Sequence, residues 1–248
     1  MQRGPRRAGG IVGTSSLSLA LNPLEQAYGL AIVAAADDGQ REVHVRLNAE
    51  DVGHWVVTTA WKMHALVLPP RALKAGVNTI EFVVPPAPGD TLVLAIDSLH
   101  VVPLEASAHA DAALPRPTGA LIDGYYAPEG GGERATSWSA GTRTVVGLLL
   151  KPSNAPYQVE LTGAAFGPLQ PLSVHAEVNG QSAGSAKVAA SAKHTFDVPA
   201  GALAEGSNLI ELVYEKTVKP SEVDSKSRDT RDIAIRIERV AVRPITSP

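Results

Sequence analysis

The chain repeats itself at long range. VHVRLNAEDVG, from Val43, and VHAEVNGQSAG, from Val174, set His44 against His175, Asn48 against Asn179 and Gly53 against Gly184, each pair 131 residues apart. PPRALKAGVNTIE from Pro69 matches PAGALAEGSNLIE from Pro199 at seven of thirteen positions, at an offset of 130. AIDSLHVVP, ending at Pro103, aligns with RIERVAVRP, ending at Pro244, at an offset of 141. A solenoid repeats every 20–50 residues or so, whereas a period this long marks a duplicated domain. The 248 residues therefore read as two homologous halves.

Each half is patterned as short strands. Val43, Val45 and Leu47 alternate with His44 and Arg46, and Val174, Ala176 and Val178 alternate with His175 and Glu177. That two-residue period is the signature of a half-buried strand. Asn179-Gly180 tolerates positive φ at both residues and reads as a hairpin turn. Many such runs, punctuated by Pro69, Gly76, Pro199 and Gly206, predict an all-β protein of two tandem β-sandwiches. The expected division is a first sandwich over 11–105, an Ala/Pro-rich linker over 106–120 and a second sandwich over 121–245.

Two segments are private to the second half. LIDGYYAPEGGGERATSWSAGTRT opens it without a counterpart, which implies that the first half lacks its opening segment through trimming or a misassigned start. KTVKPSEVDSKSRDTRD, residues 216–232, carries five positive and four negative charges and reads as a solvated hairpin loop.

Val178, Asn179, Gly180, Gly184, Phe196, Val198, Pro199, Leu203, Gly206, Asn208, Ile210 and Leu212 together resemble the galactose-binding-like jelly-roll β-sandwich. Such sandwiches serve as accessory domains of glycoside hydrolases and other carbohydrate-active proteins. The first half keeps Asn48, Gly53, Leu66, Leu68, Pro69, Leu73, Gly76, Asn78 and Ile80, with Ala49 where the turn glycine belongs. GYYAPEGGGERATSW is similar to the opening of such sandwiches in bacterial cell-envelope proteins tied to surface-glycan assembly. The resemblance covers residues 14–103 and 121–244. It implies a carbohydrate-binding, non-catalytic accessory module whose partner is a polysaccharide or surface glycan, working outside the cytoplasm beside a catalytic or membrane protein. The alternative is a structural or protein-interaction scaffold within a larger envelope protein or enzyme. The adjacent carboxylates Asp37-Asp38 and Glu50-Asp51 on turns suit either solvent or, by the same analogy, a structural calcium; no other cofactor is expected.

Composition narrows the alternatives. Twenty-two Lys and Arg against 25 Asp and Glu leave a net charge of −3, without the basic footprint of a nucleic-acid binder. The absence of cysteine removes thiol catalysis and Cys-ligated metal sites. The cationic start MQRGPRR is followed by Ser15, Ser16, Ser18 and Asn22, so no signal-peptide h-region forms, and no window is apolar for the length of a membrane span. No HExxH, phosphate-cradling or G-x-S-x-G motif occurs, and no enzyme is expected.

Positions shared by the halves read as framework, including Tyr28 with Tyr157 and His64 with His194. Private aromatics are the better site candidates. Tyr125, Tyr126, Glu129, Arg134 and Trp138 concentrate stacking rings and polar forks within fourteen residues, suited to the apolar faces and hydroxyls of a sugar. Trp55 and Trp61 offer a second binding face in the first half.

Overall fold

The structure, a computed structural model, describes residues 9–11, 14–21, 27–37, 39–60, 62–85, 94–112, 118–126, 128–130 and 135–245. The chain divides into two compact units, Met1–Leu104 and Glu105–Pro248.

The first unit holds β1 (Gly9–Ile11), β2 (Thr14–Leu21), β3 (Tyr28–Ala36), β4 (Gln40–Leu47), β5 (Glu50–Thr58), β6 (Lys62–Leu68), β7 (Gly76–Val83) and β8 (Leu94–Pro103). They form two antiparallel sheets, in the orders β1-β8-β3-β6 and β2-β7-β4-β5. Apart from the β4–β5 hairpin, successive strands from β2 onward change sheets, the jelly-roll path. The alternation seen in sequence sorts the side chains: Val43, Val45 and Leu47 are fully buried, and with Leu30, Ile32, Leu68 and Ile80 they fill the space between the sheets.

The second unit holds β9 (Ala108–Asp111), β10 (Gly119–Asp123), β11 (Ser137–Trp138), β12 (Arg143–Leu150), β13 (Tyr157–Ala165), β14 (Leu172–Val178), β15 (Gln181–Val188), β16 (Ala192–Val198), β17 (Gly206–Tyr214), the single turn α1 (Pro220–Val223) and β18 (Ile235–Pro244). Its sheets run β10-β12-β17-β14-β15 and β11-β18-β13-β16, with β9 paired to β18. With β9 and β10 set aside, these are the strand orders of the first unit. The bulges coincide as well. One falls between Val33 and Ala34 and between Thr162 and Gly163, the other between Val45 and Arg46 and between Ala176 and Glu177.

Of the span 106–120, read from composition as a linker, residues 113–117 lie outside the described residues and the described parts include strand. β9 is hydrogen-bonded to β18, and β10 to β12. Ala108, Ala110 and Ala112 are buried in the second core, so small side chains that resemble loop composition fill narrow space on a strand. The segment opening the second half also has a partial equivalent, because β1 pairs with β8 as β11 pairs with β18.

A buried amide network closes the same end of both sandwiches. Asn208 is fully buried; its Nδ2 donates to the carbonyls of Ala204 (2.8 Å) and Gly206 (3.0 Å), while its Oδ1 accepts from Ala204 N (2.9 Å) and Asn179 Nδ2 (2.9 Å). Asn78 and Asn48 repeat the arrangement with Lys74, Gly76 and Ala72. The Gly-x-Asn motif is thus more than a turn signal: it ties the β4–β5 or β14–β15 hairpin to the loop before β7 or β17. At the hairpin itself Asn179 and Gly180 adopt φ of 49° and 78°, and Asn48 and Ala49 adopt 53° and 71°. Ala49 therefore sits in the left-handed region without the freedom of glycine.

Candidate functional site

In the second unit, residues 125–126 and 128–130 pair irregularly with residues 135–139. Tyr125 bridges Ser139, Tyr126 N donates to the Trp138 carbonyl (2.8 Å), and Glu129 bridges Thr136. Alternation along paired extended backbone sends neighbours to opposite sides. Ser139, fully buried, accepts from the amides of Ala234 and Ile235, and Tyr125 beside it packs against the core cluster. Tyr126 and Trp138 therefore share the other side, and both are partly exposed. Trp138 stands edge-on to Phe166, ring centroids 5.9 Å apart.

The charged stretch 216–232 completes this surface. It is a hairpin closed by the Val218–Ile233 bridge. Its last turn, however, lies against the opening segment instead of standing free in solvent. The Arg231 guanidinium lies 5.2 Å from the Tyr126 ring centroid, Nη1 pairs with Glu129 Oε1 at 2.6 Å, and Nη2 pairs with Asp229 Oδ2 at 2.7 Å. Nε donates to both Asp229 oxygens, at 3.0 and 3.1 Å. The Tyr126 hydroxyl accepts from Asp232 N at 3.1 Å. Hydrogen bonding to Asp229, with Glu129 adding, pushes the guanidinium pKa up, and the same bonds from Arg231 hold the Asp229 carboxyl below the usual range. Side-chain exposures of 48% for Glu129 and 31% for Arg231 leave the cluster open at the surface.

Of the five residues expected to form a site, Tyr126, Glu129 and Trp138 lie together on this surface. Tyr125, also partly buried, packs against the core cluster on the opposite side, and Arg134 lies outside the described residues. The partner of Glu129 is Arg231, which reading the sequence missed because it sits in a charge run that looks solvated. One signal was available: neither meeting segment has a sequence counterpart in the first half. Of the expected second face, Trp61 lies outside the described residues. Trp55 is 6% exposed, its Nε1 donates to the Ala65 carbonyl at 3.1 Å, and its ring lies against Phe82. Trp55 thus belongs to the first core and offers no binding face. Tyr214, another private aromatic, is buried with its hydroxyl donating to Thr144 Oγ1 at 2.9 Å.

An open groove of about 620 Å³ lies at the other end of β13, lined by Pro152, Ser153, Tyr157, Pro199 and Leu203 among others. No Asp, Glu, His, Lys or Arg lines it, so its walls offer shape and apolar contact without an acid–base pair. Among the described residues no group of three or more His, Asp or Glu side chains is set to hold a metal ion. No helix among them is long and apolar enough to cross a membrane.

The described residues form two units, each of antiparallel sheets on a jelly-roll path. No family model and no curated protein matches the chain in sequence. Among solved structures it is similar to the N-terminal CBM22-1–CBM22-2 tandem of Paenibacillus barcinonensis Xyn10C, with 12% identity and a TM-score of 0.32, covering 93% of this chain and 82% of that one. It is similar also to Arthrobacter globiformis T6 isomalto-dextranase complexed with panose, with 13% identity and a TM-score of 0.33, covering 95% of this chain and 36% of that one. A third likeness, with 9% identity and a TM-score of 0.26, is to the M60 catalytic domain with CBM51-1 and CBM51-2 from Clostridium perfringens ZmpB, covering 96% of this chain and 34% of that one.

Proposed function

We propose that the chain is a non-catalytic, carbohydrate-binding or surface-glycan-associated accessory module that binds through its second sandwich. The observation that carries this reading is the shared surface of Tyr126 and Trp138, with the carboxylate of Glu129 held beside them by Arg231. Partly exposed rings present apolar faces for sugar C–H groups to stack on. The adjacent carboxylate accepts hydrogen bonds from hydroxyls, and an ion-paired cluster loses little side-chain entropy when a ligand arrives. A polysaccharide or surface glycan is the ligand, and a catalytic or membrane protein is the neighbour such a module serves. Fold alone carries no function, and the reading stands on these side chains.

A specific observation favours a second reading, a structural or protein-interaction scaffold: Trp55 and Tyr214 are spent on the two cores. One experiment separates the two. The intact chain is applied to a glycan and polysaccharide array beside Tyr126→Ala and Trp138→Ala, with melting curves for all three. Binding lost in both variants at unchanged melting supports the module. Absence of binding across the array, or binding indifferent to both substitutions, leaves the scaffold.

A further inference from the structure

The two units place different residues at one shared register position. β1 pairs with β8 so that Gly10 faces Ala95, and β11 pairs with β18 so that Trp138 faces Arg236. On the next strand, Ala35 flanks Ala95 as Ala164 flanks Arg236. The framework common to both units is thus built with glycine and alanine here, and the Trp138–Arg236 pair is an addition of the second. Ser137 and Ile237, one step along, are fully buried, which puts Trp138 and Arg236 on the outer face with Cβ atoms about 5 Å apart.

Arg236 lacks the partner that its neighbours have. Of the four arginines on strands of the second unit, Arg143 pairs with Glu211, Arg239 with Asp111 and Arg243 with Glu160. No carboxylate among the described residues pairs with Arg236, and its Nε is shut off from solvent without a hydrogen-bond partner. The residue is partly exposed, so Nη1 and Nη2 are the nitrogens that face outward. Carboxylates close by along the face are engaged elsewhere: Glu129 with Arg231, and Glu238 with the Ser191 hydroxyl at 2.9 Å. A half-buried guanidinium with no acceptor costs the fold stability, and an anion brought by a ligand would offset that cost.

We propose that Arg236 is a specificity-determining residue of the Tyr126–Trp138 surface: its terminal nitrogens take the carboxylate of a uronic acid whose ring stacks on Trp138. The inference rests on the binding reading above and specifies its ligand class. Nη1 and Nη2 present two parallel N–H donors that match a planar carboxylate, and the indole beside them offers the sugar's C–H face a contact in the same pose. One charge-assisted pair at a partly exposed site corresponds to about tenfold in affinity at low ionic strength. Salt at about 0.5 M should shrink that factor, because the exposed end of the pair is screened.

The test titrates the intact chain with polygalacturonate against its methyl ester, and glucuronoxylan against unsubstituted xylan, so that each pair differs in the carboxylate. The acidic member should bind about tenfold more tightly at low salt. Arg236→Gln should bring it down to the level of the neutral member at unchanged melting, and Arg236→Lys, which keeps the charge without the fork, should retain only part of the preference. Equal binding of the two members of each pair, or a preference that survives in Arg236→Gln, overturns the inference and leaves the binding reading standing. So does the absence of binding to all four polymers when other glycans bind on the array. Absence of binding across the whole array overturns both.

Discussion

Asn208 should be among the most costly side chains to remove from the second sandwich. Its amide is fully buried and makes four hydrogen bonds, two donated to Ala204 O and Gly206 O and two accepted from Ala204 N and Asn179 Nδ2. Asn208→Ala strands all four partners in a fully buried site. At about 1 kcal/mol net for each bond, the substitution costs about 4 kcal/mol, a large part of the roughly 5–15 kcal/mol that holds a domain folded. Asn208→Asp keeps the shape and both acceptors but loses both donors, placing a carboxylate against two carbonyls, and should destabilise at least as much. Because the chain has two units, a single melting curve would blend them. Hydrogen-exchange mass spectrometry separates them by reporting residues 206–214 and 76–83 as different peptides. The cost predicts exchange about a thousandfold faster across β17, with β7 unchanged. Acceleration of less than tenfold across β17 would refute the view that this network, and not apolar packing alone, holds the hairpin to the loop.

The first unit should lose stability in acid through His64. Burial first, then the Lys62 charge, lowers its pKa to about 4, and its buried Nε2 has no hydrogen-bond partner. The folded state thus takes up the proton later than the unfolded chain. The contribution is fully present above pH 6.5, falls away between 6.5 and about 4, and reaches about 3 kcal/mol at most. His64→Leu should flatten the slope of the urea midpoint in that window, and an unchanged slope would assign it elsewhere. Ala49→Gly relieves a residue held at φ 71° and should raise the stability of the first unit by about 1 kcal/mol, read as a higher urea midpoint at constant m. A lower midpoint would mean that the turn gains nothing from glycine.

Much of the fold was legible because its signals are local. Alternation at Val43–Leu47 and Val174–Val178 depends only on which side of a strand faces the core, and the Asn-Gly turn depends only on φ. The repeated motifs led to two sandwiches of like strand order. The parts that escaped are those where a short segment takes its state from distant chain. Ala108–Asp111 resembles a linker by composition and becomes a strand only because the edge of β18 is there to pair with it.

The site divides along the same line. Sequence by itself determined which residue types gather after Leu121, because rings and carboxylates crowded into a private segment are visible in the order of the chain. Tertiary structure alone decided which of them face outward. Trp55 and Tyr126 are both private aromatics by sequence, yet one fills space between sheets and the other lies under a guanidinium. It also decided that Arg231 anchors Glu129 and that the amide of Asp232 reaches the hydroxyl of Tyr126, 106 residues away along the chain. Burial and ion pairing are properties of space, set by how two loops meet at one end of a sandwich, and no periodicity in one dimension encodes that meeting.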